Sequence, residues 1–322
     1  MWVEPDVRDE VIGTVDHLVQ ESSLTRQWLI RELGIGRSRY YDWRTRTGMP
    51  NRHNGKIPRS HWLLEEEREA IIRYCREKIE EGYRRLTYMM LDEDVVAVSP
   101  ATTYRVLKAA DLLNRWLMRG ASTKGDGFVQ PTERHEHWHI DIMYANILGT
   151  FFFLICVLDG FSRMILHHEL RAHMTEYDVE ITVQRARERY PERNPRLISD
   201  NGKQFLSKDF QEFLRGAGLK HIRTSVAYPQ SNGKLERFHG TIRQESIRRS
   251  SYVTIADARR QIADYIRYYN EDRLHSSIYY LTPKEVFDGK TEERLAERQR
   301  KLDDARRRRM ERSMLQIAAT NL

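Results

Sequence analysis

The stretch WHIDIMYANILGTFFFLICVLDGFSRMILHHELR, residues 138–171, decides the fold. Trp138 to Ile147 alternates apolar with polar residues, Phe151 to Leu158 is a strongly apolar run, and Arg163 to Arg171 alternates again. Gly149-Thr150 and Gly160-Phe161-Ser162 separate the three runs. A period of two, punctuated by short turns, predicts three strands in an antiparallel meander.

Toward the C-terminus the period lengthens. Thr175 to Tyr190 reads as a helix, Arg196 to Ser199 as a short strand, Lys208 to Leu214 as a helix and Lys220 to Val226 as a strand. Asn232 to Ile247 and Ile255 to Asn270 are further helices. Three antiparallel strands followed by two helix-separated ones imply an α/β fold. Its core is a five-strand mixed sheet with flanking helices, in the ribonuclease-H-like order, over residues 135–288.

Toward the N-terminus the chain reads as helical. Leu24 to Leu33 and Arg37 to Arg46 flank Gly34-Ile35-Gly36, the pattern of a helix-turn-helix. Leu63 to Ile79 and Tyr83 to Asp92 are two more helices, and Ser99-Pro100 opens a third with a capping serine and a proline at the first helical position. We expect one DNA-binding unit over residues 1–50 and a second, helix-turn-helix-like, over 51–118. A linker over 119–134 leads to the core, and a charged helical tail covers 289–322. Candidate DNA contacts are Arg37, Arg39 and Arg44 on the first unit, and Thr102, Thr103, Arg105 and Lys108 on the second. Lys290 to Arg312 holds ten basic and six acidic residues, including Arg306 to Arg309, a run suited to the DNA backbone.

Composition narrows the partners. Across 322 residues the net charge is +7, with a pI near 9.3, which suits a polyanion such as DNA. Cys75 and Cys156, the two cysteines, provide neither a disulfide framework nor a zinc finger, so a reducing cytoplasm is the expected compartment. The longest apolar run, Phe151 to Leu158, is too short to span a bilayer, and no membrane partner is expected.

Three acids sit where phosphodiester chemistry would need them. Asp141 lies inside the first strand, Asp200 ends the fourth just before Asn201-Gly202, and Glu236 opens a helix after 35 intervening residues. Strand ends at a change of strand order are where ligands gather in such sheets. Hard divalent ions, Mg²⁺ or Mn²⁺, take carboxylate oxygens, and two such ions about 3.5–4 Å apart serve an in-line displacement at phosphorus. Asn232, Lys234, Arg237 and Arg243 surround Glu236 and are candidates to hold DNA phosphates.

Other groups carry less. His135, His137 and His139 alternate toward Asp141 but lack a fourth ligand. His139 is expected to flank the cleft, and the other two to be solvated. Asp159 suits a turn or an ion pair with Arg163, and Asn201 a turn. A tyrosine recombinase would need a His-x-x-Arg, which His275-Ser276-Ser277-Ile278 does not supply, and no serine-hydrolase elbow is present.

Trp138-His139-Ile140-Asp141, Ile198-Ser199-Asp200-Asn201-Gly202 and Tyr228 to Arg237 together resemble the three blocks of the bacterial insertion-sequence transposases related to retroviral integrase. Arg243, seven residues after Glu236, Tyr269-Asn270, Arg273-Leu274-His275 and Thr282-Pro283 fit the same pattern, and the resemblance covers most of the chain. It implies an Asp141-Asp200-Glu236 metal triad with Asp141 shared between two ions. It also implies DNA cleavage at the ends of an element, strand transfer into target DNA, and a homodimer or higher oligomer on DNA. The second-reading-frame type further implies an upstream-frame DNA-binding partner. No sustained heptad repeat occurs here, and the His and Cys ligands of the retroviral zinc domain are missing. A ribonuclease-H-like nuclease without strand transfer and a non-enzymatic regulator are the rival readings; the N-terminal helical units argue against the first, the three acids against the second.

Overall fold

The computed structural model describes residues 3–49, 62–113, 130–223 and 233–320. Two compact units divide the chain: residues 1–62 with 306–322, and residues 63–305.

The first unit contains α1 (Pro5–Glu21), α2 (Arg26–Glu32) and α3 (Arg37–Thr45). Proline at the first turn starts α1, a helix not expected from the sequence, whose Ile12 and Val15 pack with Leu29, Ile30 and Tyr40. Thr25 caps α2 by accepting the Trp28 N–H at 3.3 Å. Gly34, at φ 66°, supplies the left-handed turn toward α3.

The second unit opens with α4 (Glu65–Glu77), α5 (Tyr83–Asp92) and α6 (Pro100–Ala109) around Ile71, Leu86, Met90, Val106 and Leu107. Ser99 caps α6 as its sequence foretold, accepting the Thr102 N–H at 3.3 Å.

Next comes the ribonuclease-H-like sheet. Strands β1 (His137–Ile147), β2 (Thr150–Asp159) and β3 (Ile165–Arg171) form the meander, and β4 (Arg196–Ser199) and β5 (Lys220–Arg223) add in parallel, giving the order β3-β2-β1-β4-β5. The expected continuation of β5 to Val226 lies outside the described residues.

Alternation along β1 sorts its side chains onto two cores. Trp138 and Ile140, with Ile155 and Val157 of β2, face α7 (Glu176–Arg189) and α9 (Lys208–Gly216) through Val179, Val183, Phe210 and Leu214; the short α8 (Lys203–Leu206) precedes α9. Met143, Ala145 and Ile147, with Leu154 and Cys156, face Leu235, Phe238 and Ile242 of α10 (Gly233–Ile242) and Ile262 and Ile266 of α11 (Ile255–Glu271). Asp141 shares the parity of Met143, so it points to the α10 side. That single fact brings β1 and the Glu236 helix to one place. Beyond α10 the backbone widens into a π-helical turn, Arg243–Ile247, marked by the Arg248 N–H bonding the Arg243 carbonyl. Short α12 (Pro283–Phe287) and long α13 (Thr291–Thr320) finish the chain.

Candidate active site

β1 and β4 are hydrogen-bonded neighbours, with His139 opposite Ile198. Asp141, two residues beyond His139, and Asp200, just past the last residue of β4, therefore emerge on adjacent strands. Asp141 is half-buried; one oxygen accepts its neighbour Ile142's N–H at 2.9 Å, and the other faces His239 Nδ1 at 3.5 Å. Asp200 Oδ1 accepts the Gly202 N–H at 2.9 Å, an Asx turn that fixes the carboxylate at the strand end. A side chain at Gly202 would meet that oxygen at 3.0 Å. Glu236 is exposed on α10, one turn before His239.

Asp141 senses the other two acids. Burial first, then the charges of Asp200 and Glu236, push the Asp141 carboxyl up to about 7, against the pull of the Ile142 N–H. Among the described residues no three His, Cys, Asp or Glu side chains close around a single point. The donor set nevertheless fits a hard divalent cation: it is all carboxylate oxygen, and its mutual repulsion is what a bound cation would relieve.

His239 is the α10 side chain that meets Asp141; its i+3 spacing from Glu236 puts it on the helix face expected to rim the crevice. Burial, then the Arg243 charge, lower its pKa to about 4, so it meets Asp141 as a neutral dipole rather than an ion pair. Arg237 and Arg243 are both exposed.

Several expected contacts are placed otherwise. Lys234 does not reach outward. Its Nζ donates to the Gly160 carbonyl at 2.8 Å, and burial, then Arg163, pushes its pKa down to about 7. Thr103 is fully buried between α5 and α6, where it bonds the Thr87 hydroxyl at 2.8 Å, so it cannot touch DNA; its place in the turn, i+3 before Val106, puts it on the apolar face. Thr102 is half-buried beside the Ser99 cap, with Arg105 and Lys108 exposed. Arg37 and Arg39 are exposed, while Arg44 stands 3.7 Å from Asp16. Asn232 lies outside the described residues.

The histidines also depart from expectation. His135 and His137, taken as solvated, are 7% and 3% exposed, and His139 is fully buried under the β2–β3 turn. Trp138 reaches back to His135 Nδ1, and Tyr190 and Phe287 pack on that ring. Asp159 takes the turn role and not the ion pair: it accepts the His135 N–H, the Ser162 N–H and the Ser162 hydroxyl.

Known proteins resemble this chain in sequence. The family described as Integrase core domain matches residues 131–229 and again 217–283. An uncharacterized protein of insertion element IS136 from Agrobacterium fabrum is 30% identical over 174 residues, 52% of this chain and 89% of its own length. The transposase for insertion sequence element IS904 of Lactococcus lactis is 28% identical over 156 residues, 48% of this chain; the chain spans 62% of that relative. A putative transposase for insertion sequence element IS150 of Escherichia coli is 26% identical over 220 residues, 63% of this chain and 76% of that protein.

Proposed function

Because the chain belongs to the bacterial insertion-sequence transposases of the retroviral-integrase-like superfamily, we propose that it cuts the ends of an insertion element and joins the freed 3′-hydroxyl to target DNA. The observation that carries this reading is the pairing of β1 with β4, which sets Asp141 and Asp200 on adjacent strands on the side that α10 and its Glu236 cover. Two Mg²⁺ or Mn²⁺ ions, held by these three carboxylates, would activate the attacking oxygen and stabilise the leaving one.

The chemistry balances in two displacements. Water forms a bond to an end phosphorus and the P–O3′ bond breaks, its oxygen leaving as a 3′-hydroxyl. That hydroxyl then attacks a target phosphodiester, forming one P–O bond and releasing another 3′-hydroxyl. Asp141 and Asp200 are pre-set for ligand duty by the Ile142 and Gly202 N–H groups, which leave one oxygen of each carboxylate turned away from its own backbone. Arg237 and Arg243, exposed on and just after α10, hold phosphates of the reacting strand. Sequence reading falls to α3, with Arg37, Arg39 and Arg44, and to α6, with Arg105 and Lys108, each a helix fit for a major groove. Pairing two element ends calls for at least two copies on DNA.

The test is an incubation of the full chain with the ends of its own element, labelled target DNA and Mg²⁺ or Mn²⁺. Cleaved and joined strands are expected, with none in EDTA, and Ca²⁺ should support complex assembly alone. Asp200→Asn should abolish both products yet bind ends within a few-fold of wild type. Cleavage without joining in every condition would favour a nuclease, and joining by the mutant would remove Asp200 from the mechanism.

A further inference from the structure

We propose that Gln211, His221 and Ser199 are positioning residues for Asp200, joined in a one-way hydrogen-bond relay that ends on the Asp200 carbonyl. What Asp200 does rests on the metal-triad reading; the relay itself rests on contacts.

Strand register brings the members to one face. His221 of β5 lies opposite Leu197 of β4, and Leu197 belongs to the core that α9 covers. Ser199, two residues beyond Leu197, shares its parity and is fully buried. Gln211, one turn into α9, reaches across to the same face, and Phe210 beside it meets the His221 ring edge-on at 5.8 Å between centres. The relay therefore works from the α9 side of the sheet, whereas Asp141 points to the α10 side.

Each bond has one direction. The Phe205 carbonyl can only accept, so the Gln211 atom that meets it at 2.8 Å is the amide nitrogen. The same nitrogen is 2.8 Å from His221 Nδ1 and donates its second hydrogen there, which makes Nδ1 the bare nitrogen of the ring. The ring proton is then on Nε2, which donates to Ser199 Oγ at 2.9 Å. Ser199 in turn gives its own hydroxyl hydrogen to the Asp200 carbonyl at 2.8 Å. A carbonyl stands at either end, so reversing any link would set two acceptors face to face. Burial, and then the Arg223 charge, lower the His221 pKa, which keeps the ring in the neutral form that the relay uses. At its end Asp200 is gripped twice, through its carbonyl by Ser199 and through Oδ1 by the Gly202 N–H at 2.9 Å. With both engaged, the second carboxylate oxygen keeps one heading, as a metal ligand must.

Two measurements on the full chain test the relay. The first is nitrogen-15 NMR of histidine-labelled, metal-free protein, with His221→Gln identifying the signal. His221 should carry its proton on Nε2 in the wild type and become a mixture of tautomers in Gln211→Met. The second is joining of element ends across a Mn²⁺ titration. Ser199→Ala should join about 10-fold more slowly and need more Mn²⁺, with end binding unchanged. Ser199→Thr, which keeps the hydroxyl, should recover most of that loss. If Ser199→Thr does not fold around its extra methyl, Gln211→Met, at a half-buried site on α9, decides by the same slowing. An Nδ1 proton on wild-type His221, or wild-type joining by folded Ser199→Ala, overturns the relay. So does a loss that folded Ser199→Thr shares in full, because bulk and not the hydroxyl would then be at work. Asp200→Asn should abolish joining yet keep the His221 signal. Joining by that variant would sink the catalytic reading separately, and the tautomer would then decide the relay by itself.

Discussion

At the scale of single residues, Glu245 and Arg273 show how charge placement supports the turn that follows the Glu236 helix. Arg273 donates to both Glu245 oxygens at 2.7 and 2.8 Å, and the Tyr265 hydroxyl adds a bond at 2.9 Å. Burial alone would raise the Glu245 carboxyl, but these partners outweigh it and hold it below the usual range. A depressed carboxyl pKa adds stability at pH values above the unfolded-state value, and that stability fades as pH falls through the folded-state value. Arg273→Met should cost about 2 kcal/mol at neutral pH, below the fully buried range because Glu245 is partly exposed. The penalty should shrink in acid, where the stranded carboxylate takes up a proton. Urea melts of both proteins at pH 7 and pH 4 would show this, and a penalty equal at both values would contradict it.

At the scale of elements, the sheet is completed from a distance. Asn270 Oδ1 accepts the Ile165 N–H and its Nδ2 donates to the Ile165 carbonyl, so one amide side chain on α11 imitates a neighbouring strand at the start of β3. Beside it, Tyr269 packs edge-on against Phe238 of α10 at 4.8 Å between ring centres. Consecutive residues of α11 thus tie both the sheet and the Glu236 helix. Asn270→Ala leaves two buried peptide groups unmatched and should cost about 2–4 kcal/mol. Hydrogen exchange at the Ile165 amide should rise well beyond the global change; protection that falls evenly across the core would deny Asn270 this local role. The motif Tyr269-Asn270 was visible in the sequence, but its partner, 105 residues away, was not.

At the scale of the whole molecule, residues 63–305 form one unit, within which α13 reaches back to α5. Arg298 is 3% exposed and binds both Asp92 oxygens, at 2.6 and 2.8 Å, together with the Tyr279 and Tyr280 carbonyls. Arg294 joins it at Asp92, and Tyr88 stacks on Tyr280 at 4.7 Å. Tyr279 and Tyr280 both have positive φ, a conformation kept in place by the guanidinium that takes their carbonyls. Arg298→Met should lower stability by about 3 kcal/mol, since among the described residues the Asp92 carboxylate then keeps Arg294 alone as an ion-pair partner. Amide exchange in α5 should then exceed that in β1, as the α4–α6 bundle loosens first. Equal loosening of α5 and β1 would mean that Arg298 supports the unit as a whole rather than this junction.

Much of the fold, and the places of the three candidate acids on its strands and helix, was legible in the sequence because both rest on local periodicity. A period of two along residues 138–147 determines that Asp141 shares a face with Met143 and Ala145, whatever packs there, and turn residues after Ser199 determine that Asp200 ends its strand. The order of the three blocks followed from the same local readings. Only the tertiary structure decided which polar groups went inside. His137 and His139 sit beneath the β2–β3 turn, Lys234 turns to Gly160, Thr103 faces Thr87, and Arg298 reaches Asp92 from 206 residues away. The physical reason is that a polar side chain's burial depends on whether a distant partner can replace its water, and such partners are set by how elements pack, which no periodicity along the chain encodes.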